Sequence, residues 1–488
     1  MKRLHRNIAI SAVVAGVAVI VGVALLVAHQ QEEVETLGQP LLRRLQKNNV
    51  IDNTTLKPMP IHAWPYKAAN MEGTGTVNRT ALRNLTAPAW TFYIDTLIFT
   101  TPIIDDLGNI YFAPMNGMVY SLDLNGNQRW RHKLLGSQPP TPALVEDLLI
   151  VSDSLGYAYG LNLDNGKVRW VREIANLTGT DAWAVITSSE LAIFSLSDDE
   201  DTNTSQIIAV EAASGEDRWV FQLSTTMHNV APVFVDGGSA LIFADSDAGL
   251  YKLDAASGRL LWSVAGYNWT IPEGPAKVYR SLAGGVTVHE GLVYSTGNPT
   301  FAAGIARAHR VDTGELVWQS KKFKEHTSNS AAIAMIDGVP TFICGYGFTP
   351  PLHLTLPTAR KPFISTLVAL DARTGEVLWS FKTPKWDNDV AAGQPFLELG
   401  VPNIPNSWSA ATIGADGTVY ATWMGGILYA IDGRSGRVVS LYPTGEGGQS
   451  QPIIGHYGEL VVACGSHVML FRDCGKRCQP HPSRWFFW

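Results

Sequence analysis

The chain has 488 residues, 46% of them hydrophobic and 16% charged, with 45 Gly, 27 Pro, 4 Cys and a formal charge of −6. That apolar content excludes a disordered chain, and so few cysteines exclude a disulfide scaffold. With no basic run in an acidic chain, no nucleic-acid partner is expected.

Residues 1–7 contain Lys2, Arg3, His5 and Arg6 and read as a cytoplasmic tail. Residues 8–28 (IAISAVVAGVAVIVGVALLVA) are uncharged. As a helix they would reach about 31 Å, one hydrocarbon core. Cations before the run and Glu32, Glu33 and Glu35 after it orient it by the positive-inside rule. The expectation is a single-pass signal anchor, with the remainder in the extracellular, lumenal or periplasmic space. A cleaved signal peptide is the rival, although Ala28-His29 makes a poor cut site. Residues 29–60 are polar and read as a stalk. Six N-x-Ser/Thr sequons, at Asn53, Asn78, Asn84, Asn176, Asn203 and Asn268, are glycosylation acceptors in a translocated chain.

Residues 61–473 are governed by a repeat. Seven segments carry a Gly in a tight turn: Gly126, Gly166, Gly215, Gly258, Gly314, Gly375 and Gly436. In the first six, a Trp follows four residues later: Trp130, Trp170, Trp219, Trp262, Trp318 and Trp379. Ser440 takes that place in the seventh. Each unit reads as an alternating strand, a turn whose Gly accepts positive φ, and a second strand ending in the indole. A single sheet cannot bury both faces, so units must stack, with the Trp as a plug between neighbours.

Eight strand starts are marked by small residues or Pro, from Thr101-Pro102 to Gln451-Pro452. The last unit lacks an outer strand, and Ala89–Tyr93 (AWTFY) can supply it. The fold expected is all-β, an eight-bladed β-propeller with tryptophan-docking motifs, preceded by one transmembrane helix. A seven-bladed ring is the rival count. Residues 474–488 form a tail in which Cys474 and Cys478 are close enough to bridge, while Cys344 and Cys464 sit in apolar strands as buried thiols.

The Asp-x-x-(Thr/Ser)-Gly-x-x-x-Trp unit resembles the docking motif of pyrroloquinoline-quinone (PQQ) repeat propellers, as does the opening AWPYKAANMEGTG. That family contains both quinoprotein alcohol dehydrogenases and non-catalytic scaffolds. Three stretches resemble the dehydrogenase branch. In LVYSTGNP, residues 292–299, Asn298 matches a calcium ligand; Tyr279 stands where a Trp underlies the quinone; and TPKWDND places Asp387 at the Trp-Asp element. The acidic run ending in Asp201 lies where the resemblance implies a calcium-binding Glu. The resemblance thus implies cofactor contacts at Tyr279, Asn298 and Asp387 and metal contacts at Asn298 and Asp201.

Each of these residues has a plainer structural reading. Asn298 suits a turn, Tyr279 a strand edge, Asp387 a turn cap and the acidic run a solvated hairpin. The chain also departs from the dehydrogenases. Residues 300–308 (TFAAGIARA) hold no carboxylate where the general base belongs. Losing such a base forfeits about 10²- to 10⁴-fold in rate. The expectation is therefore a membrane-tethered, extracytoplasmic propeller that binds a ligand or a protein partner on one face, without a cofactor. The alternative is an alcohol or polyol dehydrogenase using PQQ and calcium.

Overall fold

Every blade is built by one local rule, visible at Asp371–Val377. The Asp371 carbonyl accepts the Gly375 N–H at 2.8 Å, and its carboxylate accepts the Arg373 N–H at 2.8 Å. Gly375 takes φ 74°, a left-handed conformation that side chains resist. The next strand re-enters with a bulge between Ala369 and Leu370, which sets the phase of Trp379. The same bulge recurs opposite Trp130, Trp170, Trp219, Trp262 and Trp318.

The computed structural model describes residues 62–174, 186–187, 191–197, 205–223, 232–245, 247–266, 285–300, 303–327, 329–347, 362–388, 390–394 and 407–473. These form eight antiparallel sheets. Seven run outward in chain order. The first extends from Ile103–Ile104 to Gln128–Lys133, the second from Ala143–Val145 to Val168–Glu173, and the third from Ile186–Thr187 to Asp217–Leu223. The fourth extends from Val233–Val235 to Leu260–Val264, the fifth from Thr287–His289 to Leu316–Gln319, and the seventh from Thr412–Ile413 to Val438–Pro443. The sixth, ending at Val377–Lys382, shares its inner position between His326–Thr327 and Ala332–Ile336, both paired with Val339–Gly347.

The eighth blade closes the ring. Ile453–Ile454, Leu460–Cys464 and His467–Phe471 are completed by Trp90–Tyr93, with Trp90 opposite Leu470 and Tyr93 opposite His467. The eight-bladed propeller and its closure by both ends of the domain are as the sequence implied.

The indoles seal the blades. Each donates Nε1–H to a carbonyl in the following blade: Trp130 to Leu163 at 2.8 Å, Trp170 to Ala212 at 3.0 Å, Trp219 to Ala255 at 2.8 Å. Trp262 reaches Val311 at 3.1 Å, Trp318 reaches Ala372 at 2.8 Å and Trp379 reaches Gly433 at 2.7 Å. Each ring also lies on the turn Gly of that blade. A Cβ on Gly166 would meet Trp130 at 2.5 Å, and one on Gly375 would meet Trp318 at 2.5 Å. Sequence reasoning missed a seventh member: Trp90 donates to Leu124 at 3.0 Å and lies on Gly126.

The expected membrane placement is corrected. Among the described residues no helix is long and apolar enough to cross a membrane. The apolar run 8–28, on which a cytoplasmic amino terminus and a translocated propeller rested, lies outside the described residues.

Candidate functional site

The axis of a propeller is its natural binding site, because the inner strands of every blade converge there. In this chain residues 64–77 bond to those inner strands. Trp64 exchanges both backbone bonds with Ile104 of the first blade at 3.0 Å. The carbonyls of Pro65, Met71, Glu72, Thr74 and Gly75 accept N–H groups from Leu144, Phe234, Val288, Ile333 and Ile413. Those five partners are the inner strands of blades two, four, five, six and seven. Ala68 N–H donates to Gln451 Oε1 at 3.1 Å, just before the inner strand of blade eight. The Gly75 N–H returns to the Ala68 carbonyl at 2.9 Å, so the segment closes on itself as a plug. It fits tightly: a Cβ on Gly73 would meet Val233 at 2.7 Å.

The plug turns at Tyr66–Ala69, where the Ala69 N–H meets the Tyr66 carbonyl at 3.2 Å and Ala68 takes φ 64°. Ala69 follows at φ 77°, a second left-handed alanine. Such strain persists only where surroundings impose it, and it clusters at functional sites. Lys67 occupies the corner of this turn. Its side chain is half-buried. Burial lowers its ammonium to about 8. Among the described residues it has no hydrogen-bond or ion-pair partner. The neighbouring Tyr66 is 3% exposed, and its phenol is raised by burial and then by Glu72. Nothing in the repeat pattern pointed here; the one available signal was a lone lysine within AWPYKAANMEG.

The structure places the predicted site residues as follows. Asn298 lies in the second strand of blade five, Leu292–Thr300, and its amide grips Thr327 of blade six. Asn298 Oδ1 accepts the Thr327 N–H at 2.8 Å and its hydroxyl at 3.0 Å, while Nδ2 donates to the Thr327 carbonyl at 3.3 Å. Both lone pairs of the oxygen are therefore engaged. Asp387 is exposed in the connection after blade six. Its neighbour Trp386 is a packing residue, donating to Val390 at 3.0 Å and set edge-on to Trp423 at 5.9 Å. Among the described residues no contact joins Asn298 to Asp387. Tyr279 and Asp201 lie outside the described residues, as do Asn53, Asn176, Asn203 and Asn268. Asn78 and Asn84 are exposed.

Calcium takes six to eight oxygens, and a quinone needs that cation and a flat platform. Among the described residues no three His, Cys, Asp or Glu side chains cluster to hold a metal. The one predicted ligand with a side-chain oxygen near a blade junction, Asn298, already satisfies it on Thr327. The described residues alone do not fit a calcium–quinone centre. Cys344 and Cys464 are free and buried, and burial pushes both thiols up to about 12, which makes them inert.

Two further features lie outside this segment. Glu446, in the connection entering blade eight, grips that blade's own turn through the Ser466 N–H and hydroxyl and lies 3.3 Å from His467 Nδ1. At the rim, the outer strands of blades four to seven expose Leu260-Leu261, Leu316-Val317, Val377-Leu378 and Val438-Val439 at one register. Blade one carries Gln128-Arg129 there and blade three Asp217-Arg218.

Comparison with known proteins agrees with this architecture. The family described as outer membrane protein assembly factor BamB, a PQQ-repeat family, matches residues 86–195, 184–346 and 364–470. The quinone-dependent alcohol dehydrogenase subunit of Komagataeibacter europaeus is 24% identical over 329 residues, covering 57% of this chain and 42% of the relative. The chain therefore spans less than half the length of that relative. The crystal structure of BamB from Moraxella catarrhalis matches with TM-score 0.54 and 15% identity, over 80% of this chain and 98% of that one. Quinohemoprotein alcohol dehydrogenase from Comamonas testosteroni matches with TM-score 0.63 and 13% identity, over 86% and 81%. At these identities the structural likeness shows the fold alone.

Proposed function

Since the chain belongs to the PQQ-repeat family described as outer membrane protein assembly factor BamB, we propose that it is a non-catalytic binding propeller. It takes a ligand or a protein partner and performs no redox chemistry. The observation that carries this reading is the amide of Asn298, saturated by Thr327 where a dehydrogenase needs a calcium ligand. The absence of any carboxylate in residues 300–308 supports it, since alcohol oxidation needs a base there. The aliphatic pairs at the rim of four successive blades support a protein partner, because repeated exposed apolar residues mark interaction surfaces.

The likeness to quinone-dependent dehydrogenases favours the second reading, a PQQ- and calcium-dependent dehydrogenase. Reconstitution separates the two. The purified chain is mixed with PQQ and calcium, passed through gel filtration, and assayed for dye reduction with simple alcohols. The binding reading expects no turnover. Retained quinone absorbance together with alcohol-dependent turnover overturns it.

A further inference from the structure

We propose that the aromatic residues 485–488 dock on the outer strand of blade seven, over Val438, Val439 and Leu441. This goes beyond the binding reading above and does not rest on it: one part of the apolar rim is a surface that the chain covers itself.

The rim is not uniform. Blades four, five and six each expose one aliphatic pair after the turn glycine, whereas blade seven exposes Val438, Val439 and Leu441 at 37%, 43% and 46%. The outer strand that carries them, Val438–Pro443, reads VVSLYP and has no charge along its length. Among the described residues it is an edge strand, paired only with Ile427–Asp432. Exposed aliphatic side chains on an unpaired edge invite cover.

The chain offers that cover close by. Residues 484–488 read RWFFW, four aromatic side chains after one cation, and so dense a run is costly to leave in water. They follow blade eight's third strand, His467–Phe471. Phe471 sets its ring edge-on to Tyr442 of blade seven at 5.1 Å, so the chain departs from beside the strand in question. Alternation along that strand puts Val439 and Leu441 on the face opposite Tyr442, so the run crosses the outer edge of the blade to reach them. Residues 472–484 span up to about 40 Å when extended, ample for a strand about 5 Å wide.

Charge decides between the two blades that flank the exit. Arg472 bonds to the Leu124 carbonyl at 3.4 Å and to Asn125 Oδ1 at 3.3 Å, which makes blade one equally near. The outer strand of blade one, Gln128–Lys133, carries Arg129, Arg131 and Lys133. Lys476, Arg477 and Arg484 would meet these as like charges. The uncharged strand of blade seven imposes no such cost.

The test uses the full chain. Phe486 is replaced by photo-reactive benzoylphenylalanine, the protein is irradiated, and cross-links are mapped by mass spectrometry. They are expected on Val438–Pro443 of the same chain, and Val439→Lys should lower their yield at least about five-fold. Cross-links confined to other strands, or formed only between copies when labelled and unlabelled chains are mixed, overturn the proposal, as does the lack of any cross-link. A hydrophobic dye gives a second reading. With Trp485, Phe486, Phe487 and Trp488 all replaced by Ser, the rim is uncovered and binding of anilinonaphthalene sulfonate should rise about two-fold or more. A fall, or no change, means that the rim was open already and overturns the proposal. The cross-link is read in a chain whose ring is intact, so a misfolded Ser variant cannot imitate it. Alcohol turnover with PQQ would remove the non-catalytic reading and leave this contact standing.

Discussion

Seven of the eight blade junctions, among the described residues, are sealed by an indole resting on a glycine turn. The junction between blades seven and eight is different. Ser440 stands where the indole would, and the chain before the closing strand fills the gap. Ser440 Oγ accepts the Leu85 N–H at 2.9 Å and donates to the Arg83 carbonyl at 2.5 Å. Tyr420 donates its hydroxyl to the Ala81 carbonyl at 3.0 Å, and Ala81 and Leu85 pack with Tyr420, Leu428 and Leu460. The repeat thus seals most junctions with a large apolar wedge and the last with a strap of hydrogen bonds. A buried indole is worth several times a single net hydrogen bond, so the strapped junction is the one expected to open first.

The largest expected effect tests the wedge. Trp130→Ala should cost about 3–5 kcal/mol of unfolding free energy by opening a cavity between blades one and two. Trp90→Ala should cost a similar amount, although sequence reasoning did not class it with the repeat. Denaturant unfolding checks both, and a loss under about 1 kcal/mol in Trp130→Ala would break the comparison. The turn glycines come next. Gly375→Ala combines about 1–3 kcal/mol of left-handed strain with a Cβ set 2.5 Å from Trp318. Gly237 has φ 67° with nothing within 4 Å, so Gly237→Ala bears the strain alone. Equal losses in the two variants would show that the indole face makes no demand on its glycine. Ser440→Ala should cost only about 1–3 kcal/mol, the penalty of leaving the Leu85 amide without its acceptor.

The ring was legible in the sequence because its physics is local. A positive-φ glycine, a bulge and an indole four residues on recur at a fixed spacing, and the structure repeats them blade by blade. Trp90 escaped because its blade is split between the two ends of the domain, so that Thr86, and no turn glycine, stands four residues before it. The sixth blade's extra strand, Ala332–Ile336, escaped because Ser330-Ala331 reads like any other blade start. The plug was illegible for a different reason. Residues 64–77 have no period of their own, and their shape is imposed by backbone bonds to strands as distant as Ile413. Of the site residues, Asn298 was expected as a cofactor and calcium contact, and its amide serves Thr327 in the described structure. Lys67 carried no motif at all; only the ring around it makes it unusual.

The smallest expected effect sharpens the comparison at the strapped side. Glu446 belongs to the connection between blades seven and eight and fastens the Cys464–His467 turn. Burial alone would raise its carboxyl, but hydrogen bonds from His467 and Ser466 outweigh that and hold it below the usual carboxylate range. A carboxyl depressed in the folded state adds stability above its unfolded value, about 4.3, and loses it as pH falls through the folded value. Acid should therefore loosen blade eight first. Hydrogen-exchange protection at Trp90–Tyr93 and His467–Phe471, measured against the intrinsic exchange rate at each pH, is expected to fall below about pH 5 while the amides around Trp379 stay protected. In Glu446→Gln the amide cannot gain that proton, so the acid-dependent part of the difference should vanish. Protection that falls evenly around the ring in wild type would place the weak joint elsewhere and leave Ser440 as an unremarkable member of the repeat.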